Sequence, residues 1–186
     1  QLEIALRNNE QLFRSLTEAA PVGIFRTDAA GRYLYVNERW CSMTGMDVAA
    51  ATADGWMDAI HPDDRDSVID EWNAAVTHQQ QFRCEYRFQT KEQIVTWILG
   101  LAQAERNQNG DVLGYVGTIT NITDQKMKES ELAESRNLLK TIVDTMPARI
   151  FWKDKESRYL GCNPVFAKDA GIGSPQEIIG KVDYDL

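Results

Sequence analysis

Apolar side chains recur at helical spacing over the first twenty residues. Leu6, Phe13 and Ala20 stand seven apart, and Leu16 falls between the last two, as in a helix with one apolar seam. Pro21 ends that pattern. Two β-rich runs follow, Val22 to Asp28 and Arg32 to Val36, around the turn Asp28-Ala-Ala-Gly31, which predicts a hairpin. From Asn37 to about Asp70 the pattern is helical and broken. Asn37 is the expected N-cap of a helix that carries Trp40 and Met43 and stops at Gly45. A second helix starts at His61-Pro62-Asp63-Asp64-Arg65, where proline in the first turn and carboxylates at the positive helix end are both favourable. It carries Val68, Ile69, Trp72 and Val76 and fades in the polar stretch Thr77 to Gln81.

Three long β-type runs come next: Phe82 to Gln89, Ile94 to Arg106 and Val112 to Ile122. Phe82, Cys84, Tyr86 and Phe88 alternate with Arg83, Glu85 and Arg87, so one face of that strand is apolar and the other charged. The turn Asn107-Gln-Asn-Gly-Asp111 holds the Asn-Gly pair that favours hairpins. Two strands, a helical middle and three strands predict an α+β domain with a five-stranded antiparallel sheet and helices on one face. Thr123-Asp124 opens another helix. Its seam runs through Leu132, Leu139 and Met146, with Ser135 and Ile142 between them, and Pro147 ends it.

The segment after this helix repeats the segment after the first. A shift of 126 residues (137 − 11) aligns Gln11–Gly45 with Asn137–Gly171 without gaps, and ten pairs are identical. They include Pro21/Pro147, Phe25/Phe151, Asp28/Asp154, Tyr33/Tyr159, Asn37/Asn163 and Gly45/Gly171. The period is a whole domain plus its connecting helix, far longer than a solenoid unit. The expected organisation is an amphipathic helix over 1–20, a complete domain over 21–123, a connecting helix over 124–146 and the start of a second domain over 147–186. That second copy ends before any equivalent of the last three strands, so a longer parent protein is expected.

Composition narrows the function classes. With 43% hydrophobic residues a packed core is expected. A net charge of −8 with no basic block argues against binding a nucleic-acid backbone or an anionic membrane surface. Cys41, Cys84 and Cys162 include no C-x-x-C pair, which fits reduced thiols and a cytoplasmic setting. No paired carboxylates, Ser/His arrangement or Gly-rich phosphate loop points to catalysis. Asp63, Asp64, Arg65, Asp66 and Asp70 read as a solvated helix face, and no metal site is expected.

Several phrases in order resemble the PAS family: Pro21-Val-Gly-Ile-Phe-Arg-Thr-Asp28, Gly31-Arg-Tyr-Leu-Tyr-Val-Asn37, His61-Pro-Asp-Asp-Arg65, and Gly114-Tyr-Val-Gly-Thr-Ile-Thr-Asn-Ile-Thr-Asp124. Asn121 stands where the family's exit motif usually has Asp. The resemblance implies a PAS fold flanked by amphipathic signalling helices. It also implies an input module that passes a signal along its exit helix to a C-terminal output domain, most often a histidine kinase and next a diguanylate cyclase. The candidate pocket comprises Phe25, Asn37, Trp40, Trp56, His61, Asp63, Trp72 and Trp97. The tryptophans offer flat faces and one N–H donor each, suited to an aromatic ligand, or would simply fill the core.

Redox sensors of this family that bind FAD have a similar His-Pro-Asp phrase and a later Trp, which His61, Asp63 and Trp72 approximate. Haem is disfavoured, since the helix holds no His near Asp66–Asp70. Against a ligand role, His61 reads as a helix cap, and Cys41 as a packed small residue outside any photoreactive Asn-Cys-Arg motif. Three readings stay open: a sensor of a small molecule or redox state acting as a homodimer through its flanking helices, an FAD-binding redox sensor, and a ligand-free dimerisation or spacer domain.

Overall fold

The computed structural model describes residues 7, 11–12, 15–52 and 54–186. The seam positions Leu6 and Phe13 lie outside the described residues. Residues 15–19 are helical, with Leu16 exposed. The chain divides into two compact units, Gln1–Lys126 and Met127–Leu186.

In the first unit β1 (Gly23–Thr27) and β2 (Tyr33–Val36) form the expected hairpin. Gly31 sits at the turn with φ +82°, a conformation that costs a residue with a Cβ considerably more. The chain then runs through α1 (Glu38–Thr44), α2 (Val48–Ala51), a 3-10 turn (Gly55–Ala59) and α3 (Pro62–Thr77). The strands β3 (Phe82–Gln89), β4 (Val95–Arg106) and β5 (Val112–Asn121) follow. All pairings are antiparallel in the order β2-β1-β5-β4-β3, so the helical segment crosses from one sheet edge to the other. The last strand inserts beside the first. Gly117 makes that approach feasible, since a Cβ there would lie 2.3 Å from Cζ of Phe25. The core between sheet and helices holds Phe25, Trp40, Trp56, Trp72, Phe82, Phe88 and Tyr115.

α4 (Thr123–Thr145) begins where the β5 pattern ends, and none of its residues is buried. The second unit continues with β6 (Phe151–Lys153), β7 (Tyr159–Cys162) and α5 (Pro164–Asp169), then short 3-10 turns at Pro175–Ile178 and Asp183–Asp185. The repeated residues repeat their geometry. The register shift at Arg26/Thr27 recurs 126 residues on, at Trp152/Lys153. Asp28 accepts the N–H groups of Ala30 and Arg32 through one oxygen, and Asp154 accepts those of Glu156 and Arg158 in the same way.

Candidate functional site

The centre of the first unit is a set of aromatic rings delivered by different elements. Phe25 on β1 stacks on Tyr33 on β2 with ring centroids 4.7 Å apart, and Tyr33 stacks on Trp56 of the 3-10 turn at 5.1 Å. Trp72 of α3 stands edge-on to this stack, and meets Phe82 at 5.3 Å and Tyr115 at 5.6 Å. Trp40 of α1 closes the far side against Tyr33 and Phe88. Edge-to-face and offset contacts of this kind suit the ring quadrupoles.

Polarity inside this cluster is sparse. The Nε1–H of Trp72 donates to the carbonyl of Gly31 at 3.2 Å. The Nε1–H groups of Trp40 and Trp56 are buried and find no acceptor among the described residues. Burial pushes the hydroxyls of Tyr33 and Tyr86 well above the ordinary tyrosine range, so both stay neutral. Burial, with Glu71 beside it, pushes the Cys84 thiol up to about 12, so it is no thiolate nucleophile near neutral pH. Among the described residues no charged side chain is buried with the rings.

Of the candidate pocket residues, Phe25, Trp40, Trp56 and Trp72 come together in one core. Asn37 lies at its edge with both ends of its amide bonded. Its Oδ1 accepts from Ile24 N–H and Trp40 N–H, and its Nδ2 donates to the carbonyls of Thr17 and Val22. His61 caps α3, its Nδ1 accepting the Asp63 N–H at 3.2 Å, and the Asp63 side chain is 73% exposed. Trp97 departs from the expectation. It shares the outer sheet face with Arg87, its cross-strand partner, because Ile98, Gly100 and Ala102 take the inward positions of β4. Tyr33, Phe82, Phe88 and Tyr115 join the same core and were not among the expected pocket residues. Their inward position on alternating strands was the available signal.

The outer face carries charge instead. The Asp64 carboxylate at the start of α3 accepts the backbone N–H and the Nε–H of Arg87, each at 2.9 Å, and also its Nη2. Those bonds hold the Asp64 carboxyl below the usual carboxylate range. The Arg87 guanidinium and the Lys126 ammonium each lie 5.5 Å from the centre of the Trp97 ring, and Lys126 pairs with Glu85 at 2.6 Å.

The second unit reproduces the aromatic start. Phe151, Tyr159 and Phe166 occupy the places of Phe25, Tyr33 and Trp40, with centroids 4.9–5.8 Å apart. Lys153 stands where the first unit has Thr27, its ammonium 4.1 Å from the Tyr159 ring centre and paired with Asp183.

A five-stranded antiparallel sheet with an inserted first strand, a helical crossover and a closed aromatic core matches one family description. Residues 33–119 match the sequence model described as PAS fold. The first unit is a PAS domain. Such a domain is a sensory module and is not itself catalytic. An uncharacterized protein, y4lL, of Sinorhizobium fredii is 32% identical over 127 residues, which is 68% of this chain and 15% of that protein. The peroxide stress-activated histidine kinase mak1 of Schizosaccharomyces pombe is 23% identical over 87% of this chain and 10% of its own length. The crystal structure of a sensory box histidine kinase/response regulator from Burkholderia thailandensis is 27% identical with a TM-score of 0.53, covering 69% of this chain and 98% of that one. The chain therefore spans a small part of the curated relatives it matches. No helix among the described residues is long and apolar enough to cross a membrane.

Proposed function

We propose that the PAS domain is the cytoplasmic input module of a homodimeric sensor histidine kinase, and that its stimulus is a small uncharged molecule bound within the aromatic core. The pair of buried, unpartnered indole N–H groups on Trp40 and Trp56 carries the ligand class. A buried donor without an acceptor costs about 1–3 kcal/mol, and a ligand bearing a carbonyl or ether oxygen would recover that energy. No charged residue is a member of the ring core among the described residues, and Arg65, whose Nε is buried, turns its Nη2 to the carbonyls of Asp58 and Ile60, which favours an uncharged ligand. The likeness to histidine kinases supports the output class.

A flavin suits the core less well. Phe25, Tyr33 and Trp56 already stand at stacking distance, so a three-ring system would have to displace one of them. Of the residues of the flavin reading, His61 and Asp63 stand at the start of α3, where the His61 Nδ1 accepts the Asp63 N–H, and the Trp72 Nε1–H already donates to the Gly31 carbonyl. The signal would leave through β5 and the helix that continues it, with α4 paired to its copy along the Leu132–Leu139–Met146 seam.

Absorption and thermal-shift measurements on freshly purified protein separate the readings. The expected result is a colourless protein whose melting temperature rises by several degrees with a small neutral, acceptor-bearing compound from a metabolite panel, a response lost in Trp40→Phe/Trp56→Phe. Flavin bands that bleach on reduction would replace this reading with the redox sensor. A colourless protein indifferent to the panel would leave the spacer role.

A further inference from the structure

The charged groups on the outer sheet face form a chain rather than scattered pairs. It starts at Asp64, in the first turn of α3, the helix whose Trp72 stands edge-on to the core rings. Three bonds fix Arg87 to that carboxylate, with the guanidinium engaged through two nitrogens. Arg87 and Lys126 share the Trp97 ring, and Glu85 balances Lys126. Lys126 belongs to the first turn of α4, which the backbone of the same tryptophan also holds. The Trp97 N–H donates to Thr123 Oγ1 at 3.0 Å, and the Trp97 carbonyl accepts the Ile122 N–H at 2.9 Å. Trp97 is thus the one side chain of this chain of contacts that touches both the cation fixed by α3 and the cation carried by α4.

We infer that Asp64, Arg87, Trp97 and Lys126 form a latch through which the position of α3 sets whether the first turn of α4 stays docked on the sheet. A helix moves nearly as a rigid body, so a shift of α3 at Trp72 also moves Asp64, eight residues and about 12 Å along the axis. Arg87 cannot follow Asp64 and keep its place over Trp97, because its backbone is fixed in the β3–β4 ladder. Once Arg87 turns away, the tryptophan face and Lys126 lose their fixed arrangement, and the first turn of α4 loses one of the contacts that brace it beside the backbone bonds at Trp97. The latch rests on the relay reading above and supplies its mechanical step. An isolated surface ion pair would contribute little. The fork geometry and the half-buried side chains of Asp64 and Arg87 set this one apart.

Amide hydrogen exchange on the whole 186-residue chain, without ligand, tests it. Asp64→Asn should speed exchange of the amides that close the first turns of α4 by about tenfold, while β4 and β5 keep their protection. Coupling is reciprocal, so Lys126→Met should loosen the first turn of α3 by a similar factor. The double variant should be less affected than the product of the two single effects. Arg87→Lys keeps the charge but loses the fork and should behave as Asp64→Asn does. If Asp64→Asn lowers protection throughout the sheet, the Lys126→Met measurement decides alone, since Lys126 is no part of the buried core. Independent effects, each confined to the helix that carries the substitution, would overturn the latch. That outcome would leave ligand sensing intact, whereas coupling in a protein that answers no ligand would keep the latch and remove the sensor.

Discussion

Asn37 uses both ends of its amide inside the protein, joining the helical segment before β1, the first strand and α1 through four hydrogen bonds. Asn163 repeats the arrangement 126 residues later. Its Oδ1 accepts from Ile150 N–H and Phe166 N–H, and its Nδ2 donates to the carbonyls of Val143 and Ala148. Asn37→Ala would strand two backbone N–H groups and two carbonyls, so a loss of about 3 kcal/mol is expected, read as a lower urea midpoint by tryptophan fluorescence. Asn37→Asp keeps the acceptor but neither donor, and should fall between. A change below about 0.5 kcal/mol for Ala would show the network to be dispensable. Only the cap to Trp40 was legible in the sequence, because it is local. The other partners lie 13–20 positions away, and no short pattern encodes them. Trp97 failed for a different reason. Both faces of β4 are apolar, with Trp97, Leu99 and Leu101 on one and Ile98 and Ala102 on the other, so a period of two could not say which faced the core.

At the scale of elements, periodicity carried further. The hairpin, the cap-to-glycine span of α1, the three long strands and α4 all fall within a residue or two of their expected limits. The stretch from Gly45 to Ile60 did not resolve in advance. There α2 is held by Asp47, whose side chain accepts the Ala50 N–H, and Trp56 arrives on a 3-10 turn with no side-chain cap. Such short pieces are set by the core they fill, not by their own spacing. α4 presents the opposite case, a readable heptad with nothing buried. Leu132, Leu139 and Met146 are 52%, 60% and 42% exposed. In the dimer proposed above these positions face their copies. Leu132→Glu/Leu139→Glu sets like charges on that seam and should raise the dissociation constant at least about 100-fold in sedimentation. The far-ultraviolet signature of the PAS domain should hold. Equal association of variant and parent would move the dimer contact elsewhere.

The two units differ in what holds them. Among the described residues nineteen buried apolar side chains form the first core, and β4 and β5 pair along most of their lengths. The second core consists of Tyr159, Cys162, Ala167 and Ile178 under a two-stranded sheet. A lone hairpin is marginal in water, and four buried side chains supply only a few kcal/mol against the entropy of ordering the chain. The repeat of 126 residues was visible in the sequence, but identities in a hairpin do not report how much core lies beneath it. The two units of this 186-residue chain should therefore open separately. Amides of β6 and β7 are expected to exchange at least about 100-fold faster than those of β4 and β5, and to lose protection at lower urea. Tyr159→Ala, which removes the ring packed against both Phe151 and Phe166, should abolish protection in β6 and β7 and leave the PAS domain unchanged. A single unfolding transition with equal protection in both sheets would mean that the second unit draws its stability from more than its own four-residue core.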